Sequence, residues 1–163
     1  ELIKKFTLER VNKSGAVFNL EKLVWLNEEH LKKKPSKELL ILLKNELAES
    51  KYKDNSYDNE YLLHVIESMR ERISFVKDII EKSFYYFERP AEYEQAAINK
   101  RWNEQTPAQL YKLLENFESL QNPEKHDYES ALKKTVEELG IGVGKLIHPV
   151  RLAVSGVSGG PGV

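Results

Sequence analysis

The chain has 163 residues, 40% of them hydrophobic, which is enough apolar material for a packed core and too much for a disordered segment. It contains no cysteine, which excludes disulfides and thiolate metal sites, and no run approaches the roughly 20 apolar residues needed to cross a bilayer. A net charge of −1 lacks the overall basicity of a typical nucleic-acid binder, yet residues 139–163 hold Lys145, His148 and Arg151 and no acid, so that end tolerates an anionic partner.

The start, Glu1-Leu2-Ile3-Lys4-Lys5-Phe6, has no secretory pattern and no initiating Met, so a cytosolic piece of a longer protein is expected. Asn19 is a candidate N-cap for a helix from Leu20, in which Leu23, Leu26 and Leu31 recur near helical spacing; Lys32-Lys33-Lys34 suit its C-terminal end and Pro35 stops it. Ser36, Glu38 and the leucines 39, 40, 42, 43 and 47 predict a second helix, closed by a polar loop over residues 49–59.

The strongest periodicity follows. Leu62, Ile66, Met69, Ile73, Val76, Ile80, Phe84 and Phe87 recur at steps of three and four and predict one buried stripe from Asp58 to Phe87, with a break near Ile79–Ser83 and Pro90 as terminator. Beyond Ala96, Ala97, Ile98 and Trp102, the pair Thr106-Pro107 predicts an N-cap and first helical residue for a helix to about Leu120. After a loop at Pro123, Tyr128, Leu132, Val136 and Leu139 mark another helix with Gly140 as C-cap. Glycines and prolines then leave room for one short apolar helix around Val150–Val154 and a flexible end. No repeat and no sustained strand alternation is visible, so the expected class is all-α, an irregular helical bundle.

No catalytic constellation is present: there is no HExxH, no Gly-x-Ser-x-Gly, no dinucleotide fingerprint, and Gly142-Val143-Gly144-Lys145 is too short for a phosphate loop. His30, His64, His126 and His148 fall on different elements, which speaks against a metal site, and Glu28-Glu29 and Glu137-Glu138 read as solvated helix faces. Phe84-Tyr85-Tyr86-Phe87 could stack bases, although core or rim packing is the more ordinary role for such a run. Arg70 and Arg72 flank the long stripe on opposite sides; an Arg70–Glu67 bridge and simple exposure of Arg72 are the ordinary readings. Arg151, after Pro149 in an acid-free segment, is less easily explained that way.

Several separated blocks, in order, give the chain its resemblance. These are Phe6-Thr7-Leu8-Glu9-Arg10-Val11-Asn12-Lys13-Ser14-Gly15-Ala16-Val17-Phe18-Asn19 with Lys22-Leu23 and Trp25-Leu26-Asn27; Met69-Arg70-Glu71-Arg72; Phe87-Glu88-Arg89-Pro90; Leu139-Gly140-Ile141-Gly142-Val143-Gly144-Lys145-Leu146; His148-Pro149-Val150-Arg151; and Gly160-Pro161-Gly162. Together the chain resembles the C-terminal half of bacterial glutamyl-tRNA synthetases. The resemblance implies a helical anticodon-binding cage: residues 1–34 ending a stem-contact region and linking helix, 35–100 forming a first anticodon-binding subdomain, and 101–163 a second, truncated one. It implies Arg72 and Arg151 as tRNA-binding arginines, and Gly160, Pro161 and Gly162 as a loop offering backbone groups to a base. It also implies glutamate tRNA as partner, a monomer, no membrane and no cofactor in this piece, with ATP and magnesium used by a catalytic domain that this chain lacks. The rival expectation is a helical protein-interaction module without RNA binding. A bacterial glutaminyl-tRNA synthetase would bring a β-barrel, for which no strands are visible.

Overall fold

Asn19 opens the helical body as its side chain suits: in extended backbone, its Oδ1 accepts the Lys22 amide at 2.9 Å. The computed structural model describes residues 2–7, 9, 15 and 17–161. The elements are α1 (Leu2–Lys5), α2 (Leu20–Lys33), α3 (Ser36–Glu49), α4 (Asn59–Met69), α5 (Asp78–Lys82), α6 (Gln95–Arg101), α7 (Thr106–Glu118), α8 (Lys125–Leu139) and α9 (Gly144–Ser155). No strand occurs among the described residues, which makes the chain all-α as expected. None of the described helices is long and apolar enough to cross a membrane.

Two apolar cores result. In the first, α3 contributes Leu39, Leu43 and Leu47 at steps of four, and α4 contributes Leu62, Val65, Ile66 and Met69; Leu31, Ile73, Ile79 and Phe87 close it. In the second, α7, α8 and α9 bury Leu113, Leu132 and Leu146, with Phe117, Val136 and Ile147 packed around them. The α8 start carries a reciprocal capping box between Glu124 and Asp127, and Gly140 ends it in the left-handed region at φ 61°, as expected of that glycine.

Three elements differ from expectation. The long helix from Asp58 stops at Met69, tightens into a 3₁₀ turn over Arg70–Arg72 and passes into extended backbone at Ile73, so a first break lies at residues 70–77, ahead of the expected one near Ile79–Ser83, which falls at Ser83 where α5 ends. The cause is Asp78, whose Oδ2 accepts the Ser74 and Phe75 amides at 2.7 and 2.9 Å and so satisfies backbone groups that a continuous helix would have used. The expected stripe is buried at Leu62, Ile66, Met69, Ile73 and Phe87, but beyond the break α5 buries Ile79 in place of Ile80, and Val76 and Ile80 pack half-buried against the same core. The α7 helix begins at Thr106 rather than Pro107, with the buried Thr106 hydroxyl accepting the Asn103 amide at 3.0 Å. Finally, α9 starts at Gly144 and carries Pro149 inside it: Leu146, Pro149 and Leu152 form one almost fully buried stripe, and their packing outweighs the hydrogen bond that proline cannot donate.

One side chain joins the first three helices of the first core. Arg70 donates through Nη1 to the Lys32 and Lys34 carbonyls at 3.0 and 2.6 Å, and through Nη2 to Ser36 Oγ and Glu67 Oε1 at 2.6 and 2.7 Å. It therefore caps the open carbonyls at the end of α2 and ties them to the start of α3 and to α4. Arg70→Ala is expected to lower stability by about 2–3 kcal/mol in urea unfolding, because charged hydrogen bonds to partly buried carbonyls are lost, and Arg70→Lys to recover less than half of it, having no planar fork.

Candidate nucleic-acid interface

Arg72 sits at the end of the 3₁₀ turn, exposed, with no hydrogen bond or ion pair among the described residues. The segment after it is pinned. Ile73 is buried, Ser74 donates its hydroxyl to Glu28 Oε1 at 2.5 Å, the Ser74 carbonyl accepts from the Asn27 amide, and Asp78 holds the next two amides. A free guanidinium thus projects from a fixed backbone, which is what recognition of a planar anionic or carbonyl edge needs. Arg70, two residues earlier, is spent on structure.

The aromatic run lies nearby in two roles. Phe87 faces inward, its ring 5.3 Å from Tyr52 and edge-on to Tyr57 at 5.4 Å. Phe84, Tyr85 and Tyr86 are half-buried and pack in sequence, with centroids 5.6 and 5.1 Å apart, so Tyr85 lies between two rings. Burial pushes the Tyr85 phenol above its ordinary value and Tyr86 adds to this, while the positive charges of Arg72 and Arg151 both pull it down. Both arginines therefore act on one phenol, although 79 positions separate them in the sequence, the difference between 151 and 72.

Arg151 reaches this place from α9. Its Nη2 donates to the Pro161 carbonyl at 3.3 Å, while its Nε is buried without a hydrogen-bond partner. The Tyr85 hydroxyl is buried and unpartnered in the same way. A cleft of about 170 Å³ is lined by Tyr85, Tyr86, Val150, Arg151, Val154, Gly159, Gly160 and Pro161. Gly160 has φ 143°, a conformation that side chains disfavour, and a Cβ there would stand 3.0 Å from the Tyr85 hydroxyl.

What brings α9 to Tyr85 is a close crossing of backbones. Gly156 ends α9 at φ 76°, and a Cβ on it would meet the Glu92 carbonyl at 2.7 Å and Pro90 Cβ at 2.8 Å. The Glu94 amide donates to the Gly156 carbonyl at 2.8 Å, and the Ser158 amide donates to Glu94 Oε2, also at 2.8 Å. Hydrogen bonding from Ser158, by its side chain and then its amide, holds the Glu94 carboxyl below its ordinary value. The chain leaving the first core is thus bolted to the end of α9. On the neighbouring flank, burial and then the charges of Arg101, Arg151 and Lys100 hold His148 below the ordinary histidine value, a sign of local positive potential despite the near-neutral chain.

Of the residues expected to bind RNA, Arg151, Gly160 and Pro161 line one cleft with Tyr85, Arg72 stands outside that lining and acts on the phenol through its charge, and Gly162 lies outside the described residues. Tyr85 and Tyr86 belong to this cleft as well. The aromatic run was visible in the sequence, but nothing in its spacing distinguished Tyr85 from a packing residue. Among the described residues no cluster of His, Asp or Glu has the makings of a metal site.

A family model described as an anticodon binding domain matches residues 34–163. The glutamate–tRNA ligase of Chloroherpeton thalassium is 44% identical over 99% of this chain and 33% of its own length, and that of Chlorobium luteolum is 39% identical over the same shares. Among solved structures, a glutamate tRNA ligase from Elizabethkingia meningosepticum, in complex with its amino acid, superposes with a TM-score of 0.92 at 32% identity, covering 99% of this chain and 32% of that one. A glutamate–tRNA synthetase from Elizabethkingia anophelis gives 0.85 at 31% identity, covering 100% and 31%. The chain spans about a third of the length of the relatives it matches.

Two substitutions test the scaffold of this site. Burial opposes ionisation of Asp78, but the Phe75 amide, Lys82 and the Ser74 amide together hold its carboxyl below the ordinary value. A depressed folded value stabilises the fold above the unfolded value, and the contribution disappears as pH falls through the folded one. Asp78→Asn is therefore expected to cost about 1–2 kcal/mol at pH 7 in urea unfolding and to converge with the parent chain below the ordinary carboxylate range. Gly156→Ala combines a left-handed residue with a backbone clash and is expected to cost about 2–3 kcal/mol, read as a lower thermal midpoint.

Proposed function

The chain belongs to the anticodon-binding domain family, and from that premise we propose that it is the tRNA-recognition part of a glutamate–tRNA ligase. The observation that carries this reading is the cleft in which Arg151 and the Gly160–Pro161 backbone meet Tyr85, with room for a single base and with the charge of Arg72 acting on the same phenol. Unstacked anticodon bases expose their edges, arginine forks bond to those edges or to adjacent phosphates, and a glycine lets backbone come close. The partner in this reading is glutamate tRNA, bound by a monomer in the cytoplasm.

The remaining two thirds of the proposed enzyme would activate glutamate with ATP and magnesium and esterify it to the tRNA, while this part checks the anticodon and orients the substrate. In this reading residues 1–34 end a stem-contact region and form its linking helix, residues 35–100 make the first anticodon-binding subdomain and 101–163 the second. The α6 helix then bridges the two, since it comes at the end of the first segment and packs on α9. Leu23, Trp25 and Leu26, which α2 leaves exposed, fit a surface that the upstream part covers. The rival reading, a protein-interaction module, gains nothing from the comparisons.

The test is binding of the chain to a glutamate-tRNA anticodon stem-loop and to loops with each anticodon base changed, at two salt concentrations. Arg72→Ala and Arg151→Ala are each expected to weaken binding of the cognate loop by about 10- to 100-fold and to flatten the preference among loops. Equal binding of all loops by the parent chain, with affinity set only by salt, would reduce the interface to phosphate attraction and contradict the proposal.

A further inference from the structure

We propose that the cavity between α6 and α9 is a phosphate subsite, in which Lys100, Arg101 and His148 take an RNA backbone phosphate flanking the base in the Tyr85 cleft; the step rests on the base-binding reading above. Apart from the four-residue α1, these two are the described helices without an Asp or Glu, in a chain that carries 26 acids. They pack on each other, and a cavity of about 370 Å³ opens beside their contact with Lys100, Arg101, His148, Glu94 and Ser158 on its wall.

The pairing pattern sets this group apart from an ordinary solvated helix face. On α5, α7 and α8 lysines meet an acid one turn away, as Lys77 does Glu81, Lys112 does Glu115 and Lys134 does Glu138. The side chains of Lys100 and Arg101 form no hydrogen bond or ion pair among the described residues. Of the described residues on the wall, Glu94 is the one acid, and its Oε2 already accepts the Ser158 amide at 2.8 Å. Unneutralised positive charge facing one hollow is what a phosphate group offsets.

The RNA backbone is the fitting source of that phosphate, because the cavity adjoins the base cleft. Arg151 stands between the two, its charge acting on the Tyr85 phenol on one side and on His148 on the other. The loop after α9 lines both, with Ser158 here and Gly159, Gly160 and Pro161 there. A strand that places a base beside Tyr85 therefore brings its backbone over this flank of α9.

His148 makes the subsite sensitive to pH. Burial, then the charges of Arg101 and Lys100 from α6 and Arg151 from α9, hold it below the ordinary histidine value, so the free ring is neutral at pH 7; α7, packed on another side of α9, adds no charge that acts on it. The Glu94 carboxyl, held low by Ser158, stays ionised throughout this range. A phosphate offsets the surrounding cations and favours the imidazolium, so binding takes up a proton. The resulting gain in affinity is complete below the free value and fades as pH rises through the bound one.

The experiment measures affinity for the glutamate anticodon stem-loop against salt at pH 6 and pH 8, with loops in which one phosphate at a time is an uncharged methylphosphonate. The chains compared are the parent, Lys100→Gln with Arg101→Gln, the charge-conserving Lys100→Arg with Arg101→Lys, and His148→Gln, each with its thermal midpoint. The glutamine pair is expected to keep the parent's midpoint and base preference, to bind every loop about tenfold more weakly, and to show a salt slope shallower by about one. One methylphosphonate position should weaken the parent to a similar degree and the glutamine pair hardly at all, and the charge-conserving pair should bind as the parent does. The parent should bind about threefold more tightly at pH 6 than at pH 8, and His148→Gln should lose that difference. Parent-like affinity and slope in the glutamine pair, equal sensitivity of the parent to every methylphosphonate, or equal weakening by the charge-conserving pair would each overturn the subsite while base preference leaves the cleft standing. A pH difference that persists in His148→Gln would overturn the part given to His148. Absence of base preference in the parent would instead overturn the cleft, and this subsite with it.

Discussion

The crossing at Gly156 is the constraint on which the rest of the molecule depends. The two cores have no buried apolar residue in common, so each could keep its own packing in many relative placements. Their placement is decided where the chain leaving the first core passes under the end of α9, at a separation that admits no side chain on residue 156. The hydrogen bonds from Glu94 to Gly156 and from Ser158 to Glu94 lock that crossing from both directions. With the joint in place, Arg151 and the Gly160 loop have one position, and that position is over Tyr85.

The two arginines of the Arg70–Arg72 turn show how the same side chain serves opposite ends within three residues. Arg70 has nearly all its donors engaged by carbonyls and side chains of α2, α3 and α4, so its fork works as a structural clamp. Arg72 has its fork unengaged on a backbone that Asp78, Asn27 and Ser74 hold rigid. Preorganisation of this kind matters more than bulk charge in a chain whose net charge is −1. Beside burial, Arg101, Arg151 and Lys100 act together on His148, a local group of positive charges in a chain of near-zero net charge.

Much of the helical plan was legible in the residues because it rests on local chemistry. Asn19 caps α2, Pro35 separates α2 from α3, and Gly140 closes α8, each acting through its own backbone preferences. The break after Met69 was not legible because it depends on the Asp78 carboxylate folding back on Ser74 and Phe75, a contact that apolar spacing does not record. Pro149 inside α9 was missed for a different reason: its tolerance comes from tertiary burial beside Leu146 and Leu152. The proposed site residues come from motif order and the resemblance it carries. Their meeting around Tyr85 was not legible, because it follows from a backbone crossing between segments about 60 residues apart, Pro90–Glu94 and Gly156–Ser158.

In the proposed function, one cleft between the two cores receives an RNA base. The most direct measurement is a nuclear magnetic resonance titration of the labelled chain with the glutamate anticodon stem-loop, following the arginine side chains, the tyrosine rings and the backbone amides. The largest perturbations are expected to converge on Arg72, Tyr85, Arg151 and residues 159–160. Perturbations confined to the exposed face of α2 or to the groove between α7 and α8, with the Tyr85 cleft silent, would contradict it.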